Sequence, residues 1–341
     1  VEFAVVGSEV FVWTMFRGQI QLSFIEVNGL EGLVEKAWKE LSRQRVPHTQ
    51  VEYALNALSN QLMSGWIEQV KDAKVLLVAP DRFLHAVAWS ALRDPQSGQL
   101  LAECFRIATI TSLTSAASEV PKPRETKDSR QLVALFGDPR GSGTSFQLDR
   151  LPGAVKEIEA IAEFYSGAHH QVDRFMGEEA TRSTFLKSLR VADTVHYAGH
   201  LVRHPTNRWD SFLALSPDPE TSGRLTAREI YSLELAGPRV VILSACGAQA
   251  SGRHRAASFL SLVSSLLRSG TENVIFSRWP VDDLDIARFG VELHRELAQG
   301  RAPVEALHQA RLRLIDDDSP PRVWASLQLA SAAVRRDAWT D

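Results

Sequence analysis

Arg239-Val240-Val241-Ile242-Leu243-Ser244-Ala245-Cys246-Gly247 is the stretch from which the fold is read. Its β-branched run is continuous rather than alternating, the pattern of a parallel strand covered on both faces. The run Thr194-Val195-His196-Tyr197, ending at Ala198-Gly199-His200, has the same grammar. So do residues 74–79 before Pro80, residues 132–137 and residues 273–277. Between these runs the apolar spacing turns helical. Val155, Ile158, Ala162 and Tyr165 share one face of a predicted helix, and Phe259, Leu262, Val263 and Leu266 share another. A strand is expected near 170–175, helices near 180–189, 284–298 and 302–315, and a last short element near 323–331. Such alternation predicts an α/β fold with a mainly parallel sheet flanked by helices.

Upstream, Ile20, Leu22 and Phe24 alternate with Gln19, Gln21 and Ser23, a period of two that predicts a half-buried strand. The turn pairs Gly7-Ser8 and Arg17-Gly18 make it part of a β-meander, with helices expected over about 28–45 and 49–67. Residues 118–131 are polar, charged and Pro-containing, and are expected to be a linker. They divide an N-terminal meander and helical part, 1–117, from a C-terminal part, 132–341.

Composition narrows the function. The chain of 341 residues is 44% hydrophobic and 23% charged, which is globular, and its net charge is −3 with no basic block. Nucleic acid is therefore not an expected ligand. No apolar run reaches the roughly 20 residues that span a bilayer, so no membrane partner is expected. The N-terminus has no signal-peptide pattern, and a start at Val1 without Met suggests a piece of a longer chain. Two cysteines, Cys104 and Cys246, are too few for a disulfide framework or a thiolate zinc site, and fit a reducing cytoplasm.

In open α/β sheets functional groups gather beyond the carboxyl ends of the strands. His200 and Cys246 each follow an apolar β run and each neighbours a glycine. A cysteine nucleophile needs an imidazole to move its proton and backbone N–H groups to hold the oxyanion. Cys246 and the Gly199-His200 turn supply these parts, although spacing alone leaves open whether the pair reacts or packs. Cys104 lies within residues 101–105, read as the middle of a strand, where packing is the expectation. His196 and His200 straddle a strand end with no following Glu, which argues against a zinc hydrolase. The loop at 137–143 has neither the GKS/T ending nor the GxGxxG spacing of a phosphate loop, and is read as flexible.

At these residues the sequence resembles the CHAT domain family, caspase- and separase-related clan CD cysteine peptidases. His196-Tyr197-Ala198-Gly199-His200 is similar to the family's His-x-Ala-x-His strand end, and Leu243-Ser244-Ala245-Cys246 to its nucleophile strand. The segments 80–85, 151–153 with Glu157, 225–230 and 277–283 resemble its other markers, in order, along nearly the whole chain. The resemblance implies a caspase-like fold and a cysteine endopeptidase with His200 as base and Cys246 as nucleophile, without metal or organic cofactor. It implies an oxyanion hole from the N–H of Cys246 and one near Gly199 or Leu201. Its substrate is a protein, its setting bacterial signalling or defence, and its control an upstream sensor such as a tetratricopeptide region, or a separate regulatory protein. Two departures stand out. Leu201 occupies a position usually glycine, and Gly247-Ala248-Gln249 replaces a frequent Glu-Thr-Gly, so the alternative is a silent or latent CHAT-fold interaction module.

Clan CD enzymes select the residue before the scissile bond, and an acidic pocket selects Arg or Lys there. Asp282 and Asp283 lead the candidates for that pocket, with Asp210 behind them. The bland reading of Asp282, Asp283 and Asp285 is a helix N-cap. An apolar pocket at Trp209 or Trp279 is the other option.

Overall fold

The computed structural model describes residues 1–43, 45–116, 130–140, 148–167, 169–204, 206–235, 238–248 and 255–332. Of residues 115–116, 246–248 and 255–259 it describes the backbone path alone. The linker expected at 118–131 lies, but for its last two residues, outside the described chain. Two compact units emerge: Val1–Val120 with Leu307–Ser326 and Ala333–Asp341, and Pro121–Ala306 with Leu327–Ala332.

The first unit opens with the expected meander: β1 (Glu2–Val6), β2 (Glu9–Phe16) and β3 (Gln19–Glu26), antiparallel in that order. Arg17 and Gly18 both take positive φ, 50° and 78°, as a tight two-residue hairpin turn requires. One expectation about this sheet fails. Ile20, Leu22 and Phe24 do not face the core; they are 69%, 44% and 56% exposed. Phe3, Val10, Val12 and Ile25 fill the buried side instead. On the outer side apolar residues cover one another across the ladder: Phe24 opposes Phe11, Leu22 opposes Trp13 and Ile20 opposes Met15.

Two helices follow, α1 (Leu30–Leu41) and α2 (His48–Leu62), then β4 (Val75–Val78), α3 (Leu101–Cys104), β5 (Arg106–Ile110) and α4 (Leu113–Ala116). β4 and β5 run parallel. Cys104 is not mid-strand as expected. It ends a one-turn helix that Glu103 starts by accepting the Leu100 N–H at 3.0 Å. Burial, with Glu103 and Asp94 nearby, pushes its thiol above the ordinary range.

The second unit alternates as predicted: β6 (Gln131–Gly137), α5 (Pro152–Phe164), β7 (His170–Met176), α6 (Arg182–Val191) and β8 (Thr194–Ala198). Short elements come next: β9 (His200–Val202), β10 (Phe212–Ala214), β11 (Arg224–Thr226) and α7 (Ala227–Tyr231). Then come β12 (Val240–Leu243), β13 (Cys246–Ala248), α8 (Arg255–Arg268), β14 (Asn273–Ser277) and α9 (Asp283–Ala298). The chain continues as α10 (Pro303–Asp316) and α11 (Pro321–Trp324) and returns as β15 (Leu327–Ser331).

The strands of the large sheet lie in the order β15-β14-β12-β8-β6-β7, parallel except for β15 beside β14. On one side a core of Phe136, Phe185, Leu189, Tyr197, Val241, Leu262 and Leu266 fills the space under α6 and α8. On the other, Val133, Leu135, Ile158 and Ile161 pack beneath α5. β8 and β12 are thus central neighbours, where the strand-end rule places function. A second, four-stranded sheet, β11-β10-β9-β13, went unpredicted because three-residue strands are too short to display a period.

Candidate active site

Both central strands leave the large sheet and re-form in the small one. β8 stops at Ala198 and, after Gly199, the chain resumes as β9 at His200; β12 stops at Leu243 and resumes as β13 at Cys246. The two remain parallel neighbours: Cys246 is the register partner of His200, Gly247 of Leu201 and Ala248 of Val202. Adjacent strands lie about 4.8 Å apart, so the ladder brings together two residues far apart in sequence. Leu201 and Val202 are strand residues of β9, and residues 249–254 after Cys246 lie outside the described chain.

Gly199 makes the hop possible. A Cβ there would sit 2.5 Å from the ring of Tyr197, a distance no rigid aromatic tolerates. Tyr197 is fully buried, and its hydroxyl is shared between the carbonyls of His200 at 2.9 Å and Ala214 at 2.8 Å. Burial raises its phenol well above the usual range, so it stays a donor.

His200 is 9% exposed, and its Nε2 lies 2.7 Å from the carbonyl oxygen of Asp149. A carbonyl only accepts, so Nε2 carries the hydrogen; in the neutral ring Nδ1 is then the basic nitrogen. The segment bearing that carbonyl is tethered on both sides. Asp138, 2% exposed at the end of β6, accepts from Arg150 Nε at 2.7 Å and from the Leu151 N–H at 2.9 Å. Asp283 Oδ2 accepts the Gly153 N–H at 2.5 Å in the first turn of α5. Asp138 is therefore a fixed anchor, and residues 141–143 of the loop read as flexible lie outside the described chain. Burial foremost, with the Asp282 and Asp138 charges, pushes the Asp283 carboxyl above the usual carboxylate range, against the pull of the Gly153 N–H and of His200.

Beneath the site runs a buried polar chain. The Tyr165 hydroxyl is 2.8 Å from His294 Nδ1, and His294 Nε2 is 3.0 Å from His196 Nδ1. His196 Nε2 is 3.2 Å from Glu157 Oε1, close enough for electrostatic pairing but off the linear geometry of a good hydrogen bond. Ser244, two residues before Cys246, donates to Glu157 Oε2 at 3.3 Å. The first histidine of the His-x-Ala-x-His stretch thus serves a structural network, while the second is the register partner of Cys246.

The three acids expected in a substrate pocket each have an occupation. Asp282 caps α9, accepting the Leu284 N–H at 3.1 Å, and its residue is exposed. Asp283 holds Gly153. Asp210 accepts from Asn207 Nδ2 at 2.6 Å and lies 3.6 Å from Arg228 Nη2. Trp279 is 3% exposed and its carbonyl accepts from Ser277 Oγ. Sequence reasoning missed Asp138, Asp149, Tyr165 and His294. Asp138 does follow a β run, as His200 does, and that signal was available. Asp149 acts through its backbone, which no side-chain pattern reveals. Among the described residues no cluster of His, Cys, Asp and Glu suits a metal ion. Nor is any described helix long and apolar enough to cross a membrane.

No curated protein matches the chain. Among solved structures it is similar to the Arg-specific cysteine proteinase gingipain R, with 11% identity, a TM-score of 0.51, and coverage of 89% of this chain and 74% of that one. A complex of Porphyromonas gingivalis RgpB pro- and mature domains gives 10% identity, a TM-score of 0.49, and coverage of 89% and 75%. The Saccharomyces cerevisiae separase–securin complex gives 14%, 0.47, and coverage of 92% and 21%, so the chain spans about a fifth of that partner. At these identities the likeness to gingipain R is one of fold: an α/β, caspase-like sheet flanked by helices. A family model described as the CHAT domain matches residues 52–332, most of the sequence, and the chain belongs to the CHAT domain family.

Proposed function

We propose that this protein is a cysteine endopeptidase with Cys246 as nucleophile and His200 as general base and acid. The observation that supports it is the register pairing of the two residues across β9 and β13. The thiol proton passes to Nδ1 of His200, and the thiolate adds to the scissile carbonyl carbon. The C–N bond then breaks, the amine leaves with the proton from the imidazolium, and water hydrolyses the thioester. The oxyanion rests on the N–H of Cys246 and, by preference, that of Gly199. A basic residue before the scissile bond is the favoured substrate feature. Asp282 is the leading acid for it, because its carboxylate is exposed and engaged only by the cap at its own helix.

One observation favours a second reading, a latent form. Leu201 lies in a strand with a partner on each edge, β10 and β13, so its N–H meets a paired strand whichever way it points. An oxyanion hole drawing on Leu201 requires one of those ladders to open. Control by an upstream sensor region or a separate regulatory protein, in bacterial signalling or defence, fits such a latent form.

Cleavage of a diverse peptide library by the wild type and by Cys246→Ala, read by mass spectrometry, tests the proposal. Cutting that vanishes in the variant supports the dyad. Cutting that survives in the variant refutes it. Absence of cutting by the wild type, repeated with candidate partner proteins, moves the reading to the silent interaction module.

A further inference from the structure

We propose that Asp283 is a positioning residue for His200, acting through residues 149–153, and not an acid that recognises substrate. The inference rests on the dyad reading above and goes beyond it. A general base works only in the correct tautomer, and here one contact selects it, the Asp149 carbonyl 2.7 Å from Nε2. A lone carbonyl on a loop is a poor reference point unless the loop is fixed. Two buried or half-buried carboxylates fix it. Asp138 holds the Arg150 side chain and the Leu151 N–H, and Asp283 holds the Gly153 N–H.

The fit at Gly153 is too close for any other residue. A Cβ there would lie 2.4 Å from Asp283 Oδ2 and 2.8 Å from the Asp283 carbonyl oxygen. Asp283 therefore meets the α5 N-terminus, where a carboxylate is favoured by the exposed N–H groups and the helix dipole. A guanidinium entering from substrate would have to compete with that contact. Asp282, one residue earlier, turns the other way and caps α9. Two consecutive acids that look alike in sequence thus do different work.

The test needs no substrate. Iodoacetamide alkylates the thiolate of Cys246 with loss of iodide, and its rate against pH, read by peptide mass spectrometry with Cys104 as internal reference, reports how well His200 accepts the proton. In His200→Ala the rate at pH 6.5 is expected to fall about 10-fold or more. Asp283→Ala is expected to lose about 3-fold or more of the same enhancement, with its profile moved toward higher pH. Asp283→Asn keeps an acceptor for the Gly153 N–H and is expected to stay within about 2-fold of wild type. Asp138→Asn, which weakens the Arg150 tether on the other side, gives an independent measure should Asp283→Ala not fold. Its profile is expected to move in the same direction as that of Asp283→Ala. Asp283→Ala or Asp138→Asn superimposing on the wild type while His200→Ala is shifted overturns the inference. So does Asp283→Asn shifting as far as Asp283→Ala. A His200→Ala profile equal to that of the wild type overturns the dyad reading instead.

Discussion

His294 Nε2 lies 3.0 Å from Nδ1 of His196, and both side chains are wholly shut off from solvent. The Tyr165 hydroxyl at one end gives the chain a consistent direction. Tyr165 donates to His294 Nδ1 and His294 donates from Nε2 to His196 Nδ1, with the His294 imidazole neutral. A proton added to His294 would turn its Nδ1 into a second donor facing the Tyr165 hydroxyl. Burial first, and then His196, accordingly hold the His294 imidazole well below its usual range.

That depression fixes the sign of a pH effect. Unfolded His294 takes up a proton near pH 6.5 while the folded one does not, so the unfolded state binds more protons as acid is added. Stability is expected to be flat above about pH 7 and to fall as pH drops below about 6.5. Thermal melts between pH 8 and 5 check this. The acid-dependent slope should shrink by about one proton in His294→Gln.

Gly290 is where the same network meets α9. A Cβ at that position would lie 1.9 Å from Glu157 Oε1, against a carboxylate that is itself buried and paired. Gly290→Ala improves helix propensity in isolation, yet here it is expected to cost about 1–3 kcal/mol by overpacking. Urea denaturation of the variant measures it; a stabilised Gly290→Ala protein would show that the carboxylate has room to move.

The substrate-pocket acids separate by substitution. Asp282→Asn is expected to reduce preference for Arg over an uncharged residue before the scissile bond by about 10-fold, the scale of one charge-assisted contact. Asp210→Asn, whose carboxylate already faces Arg228 and Asn207, is expected to leave the preference unchanged. Cleavage rates on matched peptides decide it, and the reverse result transfers the pocket to Asp210.

On β3, neighbouring residues should behave oppositely. Ile25 is 5% exposed, so Ile25→Ala is expected to cost about 2–5 kcal/mol. Ile20 is 69% exposed and stands opposite Met15 in the ladder, so Ile20→Ala is expected to cost less than about 1 kcal/mol. Equal losses in equilibrium unfolding would contradict the exposure of the outer face.

The large sheet was legible because its strands are buried on both faces. Residues such as Val240–Leu243 and Asn273–Ser277 then show unbroken apolar runs that nothing else in a soluble domain needs. The meander was legible in its turns but not in its sidedness. Alternation states that two faces differ, not which is covered, and Phe11, Trp13 and Phe24 pack on one another in the open. Cys104 misled because Leu101, Ala102 and Phe105 are buried whether the turn is helical or extended. At the site, side chains that end strands could be found from their position. The Asp149 carbonyl and the Asp283–Gly153 contact could not, since both depend on which loops meet after folding.

The paired hop of β8 into β9 and β12 into β13 has a consequence for how such a protein tolerates change in length. Because ladders at two levels set the distance between His200 and Cys246, the residues that separate them along the chain do not measure it. Sequence can be added to or taken from that interval at its exposed turns without moving the pair. Pro219 and Glu220, at the tip of the short Asp218–Thr221 bridge, form one such turn. An epitope or reporter peptide spliced there should leave the two strand ends in register, which makes the turn a natural place to tag the protein.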